Sequence, residues 1–303
     1  MLKAGWVLKK LMNSLIKKTE KQLAAAGSGN AKRAAEELAA HVLGCKPTEI
    51  YFREFTPGQE RELEALIARA EQGEPIQYII GHVDFQSLKI HCDPRALIPR
   101  PETELLVQAV LDNVDAMSSS RSKPGKRDGD IASTSKIADV GTGTGCVALA
   151  ILAELPNAEV TAIDISADAL ELARENAERL GLSKRFVAVQ NDLLEGVEEG
   201  TFDIIVANLP YIASEVCTEL DASVRDHEPV SALDGGADGL DVIRRLAAQA
   251  AHALKPGGTL FLEIGYDQGP AVQQILADHG FEKIKIKKDL AGLDRIVFGK
   301  TTD

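Results

Sequence analysis

The sequence predicts an α/β fold, a mostly parallel sheet with helices on both faces, preceded by a small helical domain. Three observations predict it. Apolar residues recur at helical spacing through residue 73. From residue 137 onward, short apolar runs alternate with helical stretches, the pattern of β-α-β units. Glycines, acids and an asparagine stand at the ends of successive candidate strands, the edge where α/β sheets bind ligands.

In the first segment, Trp6, Val7, Leu11, Leu15 and Ile16 are spaced for one helix face, with lysines between them. That lysine-rich helix reads first as a solvated face and second as a partner-binding surface. Ala34, Ala35, Leu38, Ala39, Val42 and Leu43 repeat the pattern, as do Leu63, Leu66, Ile67 and Ala70. Asn30 and Thr56-Pro57 are suited to start the second and third helices. Between residues 74 and 96 the runs Tyr78-Ile79-Ile80 and Leu88-Lys89-Ile90 suggest a β-hairpin connector. Residues 102–117 are again helical. Residues 118–136 are rich in Ser, Lys, Gly and Asp and read as a flexible surface loop. Candidate strands follow at 137–140, 160–163, 186–189, 204–207, 260–264, 284–286 and 295–298, and candidate helices at 144–155, 167–180, 239–254 and 269–279. The expected domains are therefore 1–73, helical; 74–96, a connector; and 97–303, the sheet domain.

With 45% hydrophobic and 26% charged residues, the 303-residue chain is neither disordered nor short of a core. The net charge of −12 lacks the overall basic footprint of a nucleic-acid binder. The longest strongly apolar run, 146–153, falls far short of the roughly 20 residues that span a bilayer. No secretory signal is visible, and the four cysteines form no CxxC pair, so a cytoplasmic protein with reduced thiols is expected.

The stretch Ile137-Ala138-Asp139-Val140-Gly141-Thr142-Gly143-Thr144-Gly145-Cys146 ends a strand and opens a helix. Its glycines let the backbone turn sharply and approach a ligand closely. A dinucleotide fingerprint would place Gly or Ala at 146, which is Cys. The third glycine falls at 145 instead, and Asp139 precedes the first by two residues. This D-x-G-x-G-x-G arrangement resembles that of S-adenosylmethionine-dependent methyltransferases, in which an acid near the strand end can accept a hydrogen bond from the ligand's amino group. Asp164 ends the next candidate strand, where a carboxylate can accept from both ribose hydroxyls. A helix N-cap is the bland reading of that acid. Asp192 and Leu193 follow the third strand, placed for an adenine amino group and ring.

Asn208-Leu209-Pro210-Tyr211 closes the fourth strand. An amide nitrogen is a poor nucleophile because its lone pair is delocalised. The Asn208 side-chain oxygen and the Leu209 carbonyl can each accept one N–H, fixing that nitrogen and raising its reactivity. Pro210 would hold the backbone, and Tyr211 would offer a flat wall to a planar group.

These two motifs, together with Glu74-Pro75-Ile76-Gln77-Tyr78-Ile79-Ile80-Gly81 and Leu97-Ile98-Pro99-Arg100-Pro101-Glu102-Thr103-Glu104, resemble the peptide chain release factor glutamine methyltransferases, the HemK/PrmC family. The stretch from Asp226 to Gly236 matches a further family segment. The likeness runs from about residue 74 to the end; the helical segment before it is similar in kind and length only. It implies a Rossmann-like class I methyltransferase domain. It also implies that methyl is transferred from S-adenosylmethionine to the side-chain nitrogen of the glutamine in the Gly-Gly-Gln loop of release factors. The helical domain would contact the release factor. Gly141, Thr142, Gly143, Thr144, Gly145, Asp164, Asp192, Leu193 and Asn208 would belong to the cofactor site, with Asp139 beside them. Arg100, Pro101 and Glu102 would close over the donor. Asn208, Leu209, Pro210 and Tyr211 would hold the glutamine. The chain departs from the family in having Leu209 where Pro is usual, and in a longer 118–136 loop, expected to be a neutral insertion.

No metal is expected: the clusters His91-Cys92-Asp93 and Asp226-His227-Glu228 lack ligand spacing. A general base is not evident. A monomer without membrane or nucleic-acid contact is expected. The enzymatic alternative is an adenine N-methyltransferase acting on nucleic acid, which would need a basic groove. The non-enzymatic one is a binding protein that holds S-adenosylmethionine without transferring its methyl group.

Overall fold

The computed structural model describes residues 2–27, 29–121 and 135–302. The chain divides into two compact units: residues 1–82 with 221–227, and residues 83–220 with 228–303.

The first unit is helical. It contains α1 (Leu2–Ala25), α2 (Ala31–Leu43), a 3-10 turn (Pro47–Phe52), α3 (Pro57–Glu71) and α4 (Ile76–Ile80). Both expected start signals act as caps. The Asn30 side chain accepts from the Arg33 amide, and Thr56 forms a capping box with Gln59, closing orphan donors of α2 and α3. Leu23, Ala35, Leu38, Ala39 and Ile50 are fully buried in its core.

Tyr78-Ile79-Ile80 departs from the sequence expectation: it lies in α4, not in a strand. Pro75, at φ −58°, sets the helical start, and Gly81, at φ 83°, ends it in the left-handed conformation. The turn lets Ile76, Ile79 and Ile80 meet the helical core together. A run of three apolar residues carries too short a period to separate the two outcomes. The hairpin exists one step later, between β1 (His82–Phe85) and β2 (Leu88–His91).

In the second unit, a 3-10 turn (Pro101–Thr103) leads into α5 (Glu104–Arg121). Of the expected 118–136 loop, residues 118–121 lie in α5 and residues 135–136 in the strand that follows; residues 122–134 lie outside those described. The sheet is then built from β3 (Ser135–Val140), α6 (Cys146–Glu154), β4 (Ala158–Asp164), α7 (Ala167–Arg179), β5 (Phe186–Gln190) and β6 (Phe202–Ala207). Short helices α8 (Ser214–Cys217) and α9 (Ala222–Arg225) precede α10 (Asp241–Ala253), β7 (Leu254–Glu263), α11 (Gly269–Asp278), β8 (Glu282–Lys288) and β9 (Asp294–Lys300). Strand order is β5-β4-β3-β6-β7-β9-β8, parallel except where β9 pairs with β7 and β8.

Alternation along the strands explains the two layers of helices. Ile137, Ile204, Val206, Phe261 and Ile296 face the cluster shared with α5 and α6. Ala138, Val140, Ile205, Ala207, Leu260, Leu262 and Val297 face the cluster shared with α10 and α11. The chain runs outward from β3 through β4 to β5, then returns to β6 on the other side of β3. That reversal is a topological switch point, where the loops after two neighbouring strands part and leave a crevice. No described helix is long and apolar enough to cross a membrane.

Arg185 secures the far end of α6. Its guanidinium donates to the carbonyls of Leu152 at 2.7 Å, Leu155 at 2.8 Å and Ala158 at 3.2 Å. Carbonyls at a helix end have no intrahelical partner, so a cation there is doubly favourable. Arg185→Ala is expected to lower unfolding stability by about 2 kcal/mol, the scale for hydrogen bonds to a charged group. Urea denaturation followed by circular dichroism tests this, and an unchanged midpoint would show the contacts to be incidental.

Candidate active site

A cavity of about 460 Å³ opens at the switch point. The loop after β3 and the loop after β6 both line it, and they meet because Val140 and Ala207 are register partners.

The β3–α6 loop has the shape its glycines allow. Gly141, Gly143 and Gly145 have φ values of 74°, 54° and 81°. The amides of Gly141 and Thr142 both donate to the Ile163 carbonyl, at 2.8 and 3.0 Å. Asp139 is buried beneath the loop at 1% exposure. Its Oδ2 accepts from the Thr142 hydroxyl at 2.7 Å and from the Ala148 amide at 3.1 Å. Burial pushes its carboxyl up to about 6 despite those bonds. Gly145 does not line the cavity; a Cβ there would stand 3.2 Å from the Ala173 side chain, so its role is close packing of α6 on α7.

Asp164 lines the cavity and accepts from the amide of Gly143 and from that of Ser166, each at 2.9 Å. The cap of α7 is Ser166, whose hydroxyl accepts from Ala169, so Asp164 is free of capping duty. Burial raises its carboxyl above the ordinary range. Asp192 and Leu193 also line the cavity. Leu193 holds a φ of 54°, unusual for a branched side chain and a sign of a constrained position. Asp192 is engaged by Arg245 at 2.6 Å, a cavity residue that sequence reasoning did not single out.

Asn208, Leu209 and Pro210 line the cavity, as do Arg100 and Thr103; Pro101, Glu102 and Tyr211 do not. The Asn208 Nδ2 donates to the Thr103 hydroxyl at 3.1 Å. Tyr211 packs instead beside the α10–α11 core, with its carbonyl held by Gln268 Nε2 at 2.9 Å. Arg100 pairs with the buried Glu228 at 2.5 Å, and Glu228 also accepts from the Ile98 amide at 3.1 Å. Glu228 thus straps residues 98–100 over one wall. Thr103, Glu228 and Arg245 were given no role in the sequence reading because their partners are distant in the chain; Thr103 and Glu228 carried a signal, in the Leu97–Glu104 stretch and in the stretch from Asp226.

Comparison with known proteins gives this geometry a family. Residues 14–81 match the PrmC N-terminal domain, and residues 128–223 match the methyltransferase small domain. A release factor glutamine methyltransferase of Agrobacterium fabrum is 40% identical over 280 residues, covering 91% of this chain and 93% of its own length. The chain belongs to the release factor glutamine methyltransferase family. Another member, from Gloeobacter violaceus, is 41% identical and covers 76% of this chain and 75% of its own. A methyltransferase from Pyrococcus furiosus shares the fold with a TM-score of 0.51 at 19% identity, covering 80% of this chain and 99% of that one.

The residues of this family member suit S-adenosylmethionine. Thr144 lines the cavity, and its buried hydroxyl oxygen has no hydrogen-bond partner of ordinary geometry among the described residues, so a polar ligand can supply one. Asp139 and Asp164 make the floor acidic, which favours a ligand carrying sulfonium and ammonium charges. Asp164→Ala should lower donor affinity at least tenfold, about 1.4 kcal/mol. Calorimetry on the full chain measures it, and unchanged affinity would leave Asp164 as a loop brace only.

Proposed function

We propose that this chain transfers a methyl group from S-adenosylmethionine to the side-chain nitrogen of the Gly-Gly-Gln glutamine in release factors, using Asn208 and the Leu209 carbonyl to hold that nitrogen. The observation that carries the assignment of residues is the meeting of the Gly141–Gly143 turn and Asn208 across one register pair. Donor and acceptor loops then face a single cavity. The nucleic-acid alternative loses its support from the family match and from the net charge of −12.

When bound, the cofactor supplies an electrophilic methyl group on a positively charged sulfur. The chain's residues do the rest by position. The Asn208 side-chain oxygen accepts one N–H of the glutamine amide, and the Leu209 carbonyl accepts the other. Both contacts strengthen as the nitrogen becomes tetrahedral and its protons acidify, so they favour the transition state over the ground state. The nitrogen gains a carbon and sheds one proton to water. Arg100, held by Glu228, closes the wall beside the donor.

The helical unit is the recognition surface in this reading. Lys17, Lys18 and Lys21 are exposed on α1, and Phe52 is 76% exposed. Exposed cations steer an acidic partner, and an exposed aromatic gives it an apolar contact. The chain acts as a monomer in the cytoplasm, which light scattering and cell fractionation check.

Incubation with labelled donor and intact release factor, beside duplex DNA, should label the glutamine alone. Asn208→Ala should leave donor affinity intact and reduce turnover by about 10² or more, the scale for one preorganised contact. Turnover near that of the unaltered chain would sink the role given to the tetrapeptide. The triple substitution K17E/K18E/K21E should raise KM for intact release factor at low salt without changing donor affinity. An unchanged KM across a salt series would remove α1 from the recognition surface.

A further inference from the structure

Glu263 ends β7, buried at 1% exposure, and its Oε2 has no hydrogen-bond partner among the described residues. An unsatisfied buried carboxyl oxygen is costly and calls for a reason. The register supplies one. Ala207 pairs with Leu262 in the parallel β6–β7 ladder, so the next residues along, Asn208 and Glu263, stand side by side at the sheet's edge. Thr103 completes the group, since its hydroxyl oxygen accepts from Asn208 Nδ2 and its proton remains to be donated. Thr103 and Asn208 both draw the Glu263 carboxyl downward, the effect of polar groups close beside it.

We propose that Glu263 is a positioning residue for methyl transfer: with Thr103 it holds the Asn208 amide with its nitrogen turned into the protein and its oxygen toward the substrate nitrogen. The proposal rests on the reading that the Asn208 oxygen accepts a substrate N–H. An asparagine side chain is nearly symmetric in shape, so sterics alone do not choose which end faces the substrate. Turned round, Asn208 would oppose one N–H donor with another. Two acceptors behind it, the Thr103 oxygen and a carboxylate, admit only the productive orientation. An ionised carboxylate can only accept, whereas a protonated one can donate to the Asn208 oxygen and so reward the wrong orientation.

Protonation therefore matters in the working range. Burial pushes the Glu263 carboxyl up to about 7, with Thr103, Arg295 and Asn208 drawing it down and Glu102 adding to the rise. Tyr211 and Cys146 are the other titratable groups that feel its charge, and burial raises both, Cys146 to about 12, so neither ionises near neutrality. Turnover should accordingly rise with pH through about 7 as Glu263 ionises.

The test uses the full chain. Glu263→Gln keeps the shape but brings a permanent donor. It should leave donor affinity unchanged, lower kcat roughly tenfold to a hundredfold at pH 8, and abolish the acid limb of the kcat profile. Thr103→Val should lower kcat similarly, and Thr103→Ser should recover most of the loss; this pair decides the matter should E263Q not fold. A kcat for E263Q equal to that of the unaltered chain at pH 8, or an acid limb that survives in it, would overturn the proposal. So would a Thr103→Val variant of full rate. If Asn208→Ala loses activity while E263Q does not, only the positioning role falls; if Asn208→Ala is itself fully active, the reading of Asn208 falls with it.

Discussion

The glycine-loop side of the cavity depends on one buried carboxylate. The helix α6 begins after Gly145, a residue with no side chain to cap it, so its first-turn amides lack a local acceptor. Asp139 supplies one from the end of β3, taking the Ala148 amide and the Thr142 hydroxyl on the same oxygen. A negative group at a helix N-terminus is favourable in itself, and here it also spans the turn it stabilises. With strand end, turn and helix start tied to one atom, the Gly143 amide is delivered to Asp164 and the two acids come to lie on one cavity floor. The cost is visible in the upward displacement of both carboxyls by burial.

That arrangement accounts for what was legible in the sequence. The glycine run, Asp139, Asp164 and Asn208 all follow strands whose apolar patterns are strong, so pattern and topology place them on the same edge. Asn30 and Thr56 were legible because capping is a local matter of three residues. The α4 turn was not, because its few apolar residues suit either period and the outcome depends on which core they join. Tyr211 follows the cavity-lining Pro210 without lining the cavity itself: Gln268 holds its carbonyl and its ring packs beside the α10–α11 core.

The residues that sequence reasoning did not find share one property: each acts through a partner far away in the chain. Thr103 meets Asn208, Glu228 meets Arg100, and Arg245 meets Asp192. Thr103 and Glu228 lie in stretches singled out for their family likeness and Arg245 in a periodic helix, but the partner of each is set by the tertiary fold. Glu263 is the extreme case, because a glutamate closing an apolar strand reads as the ordinary polar end of that strand until its burial is seen.

Leu209 shows how the two halves of the site are held in register. Where the family usually has Pro, rigidity of this loop would come from a fixed φ. Here it comes from packing. Leu209 is 4% exposed, and its Cδ2 lies 3.0 Å from the point a Cβ on Gly141 would occupy. The first glycine of the β3–α6 loop is therefore favoured by its φ of 74°, and the leucine above it leaves little room for a side chain. In return the leucine ties the Asn208–Tyr211 tetrapeptide directly to the Gly141–Gly145 turn. Methyl transfer needs the two reacting atoms aligned to within a fraction of an ångström. A side chain from one loop seated on the backbone of the other makes a shift of either loop a shift of both, so their spacing survives motions that displace the pair together.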